Sequence, residues 1–321
     1  MEFKHLLRNW ACHLQRAGIA AVVWALDLSA HRFVQTMRWR QISSVYTSDM
    51  VLPAALRSQV KVPGSDSYLQ AVLRKPMACA RVLAMGFSVL FVDVDVVVRR
   101  DPRRDLIFSH ADVAVATNYP QPLLNSGVLY LADHGAQARS GLAPKGFGVP
   151  WLVSAWLQRT RRRHACSGWA CGDQEQLTAL LKSAYVGLDN EPLLMTQAEW
   201  LARAPWRNAI RSLWAKLYRH VWGQIWVAGS LDPWLSHVAL SCRHAADCPS
   251  SSFRPLNLAI LQPLAFATGY PGLARTGQFE PLEMAFHANF NWGNETKRAK
   301  LQNRGLWCSS AHTRCSRCGG G

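Results

Sequence analysis

Ser88-Val89-Leu90-Phe91-Val92-Asp93-Val94-Asp95-Val96-Val97-Val98 is the stretch on which the reading of this chain turns. Apolar residues run without a polar break from Val89 to Val92, which predicts a strand buried on both faces, as in the interior of a parallel sheet. The strand delivers two carboxylates to its end. Residues two apart on a strand face the same side, so Asp93 and Asp95 are expected to converge on one point. Placing two charges against an apolar strand without compensation costs free energy. Paired carboxylate oxygens suit a hard divalent cation such as Mn²⁺ or Mg²⁺. An ion held in that way bridges to a diphosphate and stabilises the charge that develops as it departs. The competing reading is two solvent-facing acids in a loop.

Upstream, Phe3, Leu6, Leu7, Trp10, Ala11 and Leu14 repeat at helical spacing over residues 3–15, and Gly18 ends the pattern. Residues 19–26 form a continuous apolar run closed by Asp27, read as a buried parallel strand with a carboxylate at its C-terminal edge. Val45 and Tyr46 suggest a second short strand. Residues 65–68 read as a turn into helix, and Pro76 as the first position of a helix over 77–85 closed by Gly86. Downstream, strands are expected at 112–116 and 126–131, separated by a polar loop that holds Asn118, Pro120, Pro122 and Asn125. Helices are expected at 151–161, 174–181 and, in a Trp-rich irregular region, 207–218. The βαβ-like alternation implies an α/β fold, a mostly parallel sheet covered on both faces, with its crevice outside the strand C-termini. One domain over residues 1–304 followed by a disordered Cys/Gly-rich tail at 305–321 is the expected organisation.

With 321 residues, nearly half of them apolar, the chain can bury a sizeable core. The formal charge of +16 favours anionic partners: a nucleotide sugar, an acidic polysaccharide, nucleic acid or an anionic membrane surface. Basic residues cluster as Arg99, Arg100, Arg103 and Arg104, and as Arg159, Arg161, Arg162 and Arg163. No aromatic residues interleave with them as a stacking platform requires, so no nucleic-acid partner is expected, and a basic nucleic-acid-binding protein is a reading from charge alone. The longest apolar run near the N-terminus is far short of the roughly 20 residues that span a bilayer. Membrane association is therefore expected only through a segment not visible in this chain, which opens directly on an amphipathic helix. Nine cysteines cannot all pair within the chain. Cys166 with Cys171 and Cys242 with Cys248 could close small loops in an oxidising compartment. Cys308, His312, Cys315 and Cys318 offer zinc-type ligands at a spacing that fits no standard site.

Phe91-Val92-Asp93-Val94-Asp95 with Arg100-Asp101-Pro102 resembles the DxD region of the nucleotide-diphospho-sugar transferases of glycosyltransferase family 77, which includes plant and algal arabinosyl-, xylosyl- and galactosyltransferases. Ala25-Leu26-Asp27, Asn125-Ser126-Gly127, Gly172-Asp173-Gln174 and His287-Ala288-Asn289 with Gly293 and Lys297 match in order, over about residues 9–304. The resemblance implies a GT-A fold with a Rossmann-like mixed sheet and a retaining, metal-dependent transfer from a UDP-sugar, a pentose or galactose donor, to a hydroxyl on a cell-wall glycan or glycoprotein in the Golgi lumen. It implies that Asp93, Asp95 and His287 bind Mn²⁺ (or Mg²⁺) and that Lys297 contacts the donor phosphates. Asp27, Asn125, Ser126, Gly127 and Asn289 would bind substrate, and Asp173 and Gln174 would face the donor sugar near the anomeric carbon. Each has a plainer alternative: a packed histidine for His287, an exposed lysine for Lys297, a turn for 125–127, a helix N-cap for Asp173. Ser126 stands where the family usually has threonine, and Asn118 where it often has aspartate. The strand with which GT-A domains begin has no counterpart here, which motivates a non-catalytic GT-A-like nucleotide- or glycan-binding protein as the alternative. The Asn294-Glu295-Thr296 sequon would be open to glycosylation in a secretory lumen.

Overall fold

The computed structural model describes residues 3–53, 65–103, 106, 111–117, 124–133, 148–162, 172–186, 235–242, 256–261, 266–268, 285–288 and 294–308. The amphipathic opening forms α1 (Lys4–Arg16), which buries Leu6, Leu7, Trp10 and Leu14. Gly18, at φ +68°, takes the left-handed conformation that ends it. The apolar run that follows is a strand only over β1 (Ala21–Trp24) and is half-buried rather than buried, with Val22 59% exposed. Asp27 caps α2 (Leu28–Met37), its Oδ1 accepting the Ala30 N–H at 2.7 Å. α2 leads into β2 (Ile42–Val45), which pairs in parallel with β1.

Ser65 caps α3 (Asp66–Ala84), its hydroxyl accepting the Tyr68 N–H. Pro76 lies inside this helix and does not open a separate one. Proline removes one intrahelical N–H there, but the stripe Leu69, Leu73, Ala78, Cys79 and Leu83 is buried on both sides of it and holds the helix through the gap. The run that reads as one strand is two, β3 (Val89–Val92) and β4 (Val96–Val98). Next come β5 (Val113–Thr117), β6 (Leu124–Leu131), α4 (Val149–Arg161), α5 (Asp173–Ala184) and β7 (Tyr185–Val186). Then follow β8 (Leu235–Cys242), β9 (Leu256–Leu261), β10 (Phe266–Thr268), β11 (Ala285–His287) and α6 (Asn294–Asn303). The helix expected at 207–218, the loop with Asn118, and Cys166, Cys171, Cys248, His312, Cys315 and Cys318 lie outside the described residues.

The chain divides into two compact units. The larger, Ala54–Val92 with Arg103–Ala265, is built on a six-stranded sheet in the order β3-β6-β5-β9-β8-β7. The sheet is mixed, as the resemblance implies, and corrects the mostly parallel reading of the element pattern: among the described residues β5 and β9 are its only parallel neighbours, and the other neighbouring pairs are antiparallel. Residues 118–123 are too few for the crossover of a dozen or more residues that a parallel β5–β6 pair needs. The fold is mixed α/β, consistent with a GT-A-like domain. Val113, Val115, Leu129, Leu131, Leu258 and Ile260 of the sheet pack with Trp156 of α4, Leu177 and Leu181 of α5 and Leu83 of α3. Each such large aliphatic side chain contributes about 1.5–3 kcal/mol on burial.

The other unit comprises Met1–Pro53, Asp93–Pro102 and Phe266–Gly321. Its second sheet, β10-β11-β4, lies in a core of Leu6, Val97, Phe286, Ala288, Leu301 and Leu306. One face of α1 grips residues 306–308. Asn9 Oδ1 accepts the Cys308 N–H at 2.7 Å, Cys12 is disulfide-bonded to Cys308, and His13 Nε2 donates to the Leu306 carbonyl at 3.0 Å. Cys308, counted above among zinc-type ligands, is therefore committed to a disulfide. Among the described residues, no helix is long and apolar enough to cross a membrane.

Candidate functional site

In the smaller unit, Asp93 to Val96 form a turn closed by the Val96 N–H on the Asp93 carbonyl at 3.0 Å. The two carboxylates therefore converge through a turn between strands, and strand alternation is not the cause. β11 pairs antiparallel with β4, with His287 opposite Val96. The Ala288 N–H extends the ladder by one bond to the Asp95 carbonyl at 3.0 Å. This register sets the imidazole against the turn. His287 Nε2 lies 3.2 Å from Asp95 Oδ1 and 4.0 Å from Asp93 Oδ2. One ligand atom from each of Asp93, Asp95 and His287 falls within 4.8 Å of the others.

Lys297, one turn into α6, reaches the other carboxylate oxygen, Asp95 Oδ2. It neutralises the carboxylate while leaving Oδ1 on the imidazole side. Burial of Asp95 opposes its charged form, but the charges of His287 and Lys297 and their hydrogen bonds outweigh it and hold the carboxyl well below the usual carboxylate range. The far nitrogen, His287 Nδ1, is buried and has no hydrogen-bond partner among the described residues, so the interactions of the ring are made through Nε2. Two carboxylate oxygens and one imidazole nitrogen fit Mn²⁺ or Mg²⁺ by their chemistry.

The larger unit carries a second polar cluster. Asn125, expected in the loop, lies with Ser126 and Gly127 within β6, where the pairing register with β5 shifts between Val115 and Ala116. Residues 126–128 therefore have no partner on β5 in the ladder. Asn125 Oδ1 accepts the Gly127 N–H at 2.8 Å, and the Ser126 hydroxyl donates to Asp173 Oδ2 at 2.7 Å. Asp173 is the first residue of α5 and is not its N-cap, because the Gln176 N–H already bonds the Gly172 carbonyl. Its carboxylate points instead to Ser126 and to Lys75, whose Nζ lies 2.9 Å from Oδ2. The Asp173 carbonyl is fixed by the Trp156 indole N–H at 2.8 Å. Gln174, half-buried, is the next residue of α5.

Two groups of the expected residues are thus assembled: Asp93, Asp95, His287 and Lys297 in one unit, and Ser126 with Asp173 in the other. Asn125 binds its own strand, and Asp27 is committed to capping α2. Asn289 lies outside the described residues. Lys75 is the functional candidate that sequence reasoning missed. Its signal was available: it stands three and four residues before Ala78 and Cys79, on the buried stripe of α3, where a charge needs a reason. Cys79, a free buried thiol one turn from it, is no nucleophile, since burial pushes its thiol up to about 12.

Residues 20–132 match the nucleotide-diphospho-sugar transferase family. The match covers less than half the chain, takes in Asp93 and Asp95, and ends before Asp173, His287 and Lys297. No curated protein matches the chain.

Proposed function

We propose a retaining, Mn²⁺- or Mg²⁺-dependent glycosyltransferase that moves a pentose or galactose from a UDP-sugar to a hydroxyl acceptor; the match of residues 20–132 to the nucleotide-diphospho-sugar transferase family supports a glycosyltransferase in general terms. The observation that carries this reading is the convergence of Asp93, Asp95 and His287, with ligand atoms within 4.8 Å of one another. Those three residues would hold the ion, whose chemistry is Lewis-acid stabilisation of the departing diphosphate. Lys297 supplies a positive charge on the same carboxylate, and in this reading it turns to the donor phosphates.

Asp173 and Gln174 are proposed to face the donor sugar, Asn125, Ser126 and Gly127 to meet its hydroxyls, and Asp27 and Asn289 to bind substrate. For retention we favour front-face transfer. The acceptor oxygen bonds the anomeric carbon on the face from which the diphosphate leaves, the carbon–oxygen bond to the phosphate breaks, and the acceptor proton passes to the leaving phosphate. Positioning and electrostatic stabilisation then carry the catalysis. The acceptor is proposed to be a cell-wall glycan or a glycoprotein in the Golgi lumen. The Cys12–Cys308 disulfide supports an oxidising compartment.

The test is UDP release from UDP-galactose, UDP-xylose and UDP-arabinose, with Mn²⁺ and with a chelator, in the wild type and Asp95→Ala. We expect metal-dependent release that drops at least about 100-fold in the variant, while its circular dichroism stays native. Full activity in Asp95→Ala contradicts the metal assignment. UDP binding without hydrolysis or transfer favours the non-catalytic reading, which the Lys297 ammonium already seated on Asp95 also suits.

A further inference from the structure

The Lys75 ammonium is enclosed on several sides. Asp173 Oδ2 lies at 2.9 Å, Ser126 Oγ at 3.0 Å, the Ser126 carbonyl at 3.3 Å, and the Phe91 ring centroid at 4.8 Å. Its side chain is 11% exposed and that of Asp173 7%. A buried lysine is retained at a cost, and losing either partner of such a pair leaves an uncompensated charge. Most of the cluster is directed at one atom. Asp173 Oδ2 accepts both the Ser126 hydroxyl, at 2.7 Å, and the ammonium. Oδ1 accepts no hydrogen bond from any described residue. The carboxylate is fixed in rotation by the pair on Oδ2, and the residue is fixed in place by the Trp156 bond to its carbonyl.

We propose that Lys75 is a positioning residue for sugar transfer: by locking Asp173 Oδ2 together with Ser126, it presents Oδ1 as a fixed acceptor for a hydroxyl of the donor sugar and withdraws Asp173 from service as a nucleophile. Two charge-assisted bonds on one oxygen draw electron density from the carboxylate, which lowers its nucleophilicity while leaving it a good hydrogen-bond acceptor. This role rests on the transferase reading above. The substitution of choice is Lys75→Met, which keeps an unbranched side chain as far as Cε and removes the ammonium. Lys75→Arg keeps the charge but spreads the donors on a planar fork that cannot meet the same acceptors in the same way.

The experiment measures UDP release from UDP-galactose, UDP-xylose and UDP-arabinose with Mn²⁺, UDP affinity by titration calorimetry, melting temperature, and the intact mass of enzyme quenched during turnover. A misplaced positioning group is expected to cost about 100-fold in kcat. Lys75→Met should show that loss with UDP affinity within about twofold of the wild type, Lys75→Arg should recover part of it, and no glycosyl adduct should form on Asp173. Should Lys75→Met fail to fold, Lys75→Arg at an unchanged melting temperature carries the test, with an expected fall of about tenfold in kcat. Wild-type kcat in either variant, a loss of UDP affinity equal to the loss of kcat, or an adduct on Asp173 overturns the role of Lys75. A wild-type protein that neither binds UDP nor releases it from any donor overturns the transferase reading itself, and this role with it.

Discussion

Asp95 is the more buried of the two turn carboxylates, and two side chains attend it from opposite oxygens: His287 on Oδ1 and Lys297 on Oδ2. A carboxylate out of water needs this compensation, and a bound cation would supply more of it. Lys297→Met therefore tests the electrostatics independently of catalysis. The lysine is partly exposed, so solvent screens its contribution, and its loss should cost about 1–2 kcal/mol. A divalent ion replaces the missing charge, so Mn²⁺ should raise the melting temperature of Lys297→Met by more than it raises that of the wild type. Equal shifts, or no shift in either protein, would separate Lys297 from the ion site. Asp93 and Asp95 were legible in the sequence because an apolar strand that ends in two acids has few bland explanations. His287 was legible only through the resemblance, since nothing local distinguishes it from the other histidines. Lys75 was overlooked because a lysine on a helix is most often solvated: its place beside the buried stripe of α3 was a local mark, but its role shows only in the carboxylate that α5 brings from far along the chain.

Elements followed the apolar pattern more closely than their pairing did. α1, α4, α5, β5 and β6 lie near their expected positions because periodicity and caps are local properties. The antiparallel pairings of β3 with β6 and of β4 with β11, and the break between β3 and β4, are set by partners distant in sequence, to which a local pattern is blind. The grip of α1 on residues 306–308 is of the same kind, since Asn9, Cys12 and His13 fall on one helical face whose partner lies at the far end of the chain. His13 gives this element a pH signature. Burial, the leading cause, together with Arg16 and Arg99 holds its imidazole below the ordinary value of 6.5, against the raising effect of the Leu306 carbonyl. The unfolded chain therefore takes up this proton first as the pH falls. The stability contributed by neutral His13 is present above about pH 6.5 and is lost as the pH drops toward the lowered folded value. Urea midpoints of the wild type should fall between pH 7.5 and pH 5.5, and in His13→Gln, which keeps a donor for the Leu306 carbonyl, they should fall less. Identical pH slopes in the two proteins would remove His13 from this linkage.

At the scale of the molecule, the chain assembles the smaller unit from its two ends and one short middle segment, Asp93–Pro102. The middle segment brings the carboxylates, and the C-terminal segment brings His287 and Lys297. The described residues of the N-terminal segment supply none of the converging groups but anchor the other end: Leu6 shares a core with Val97, Phe286, Ala288, Leu301 and Leu306, and Cys12 is bonded to Cys308 across 296 residues of sequence. Val97, Phe286 and Ala288 are close sequence neighbours of Asp95 and His287, so loosening that core should loosen the proposed ion site. A cross-link that closes so long a stretch of chain stabilises by about 3–5 kcal/mol, mostly by restricting the unfolded ensemble. Its removal should therefore act on one unit. Hydrogen exchange of Cys12→Ser should rise in α1, β11, α6 and residues 306–308, while α4 and α5, which pack in the core of the larger unit, keep their protection. Mn²⁺ with UDP should restore part of the lost protection in β4, β11 and α6, because a ligand that binds only the assembled site favours it in proportion to its saturation. Exchange that rises equally in α4 and α5 would mean that the two units unfold as one. Exchange in β4, β11 and α6 that ignores Mn²⁺ and UDP would mean that the three converging side chains do not hold an ion.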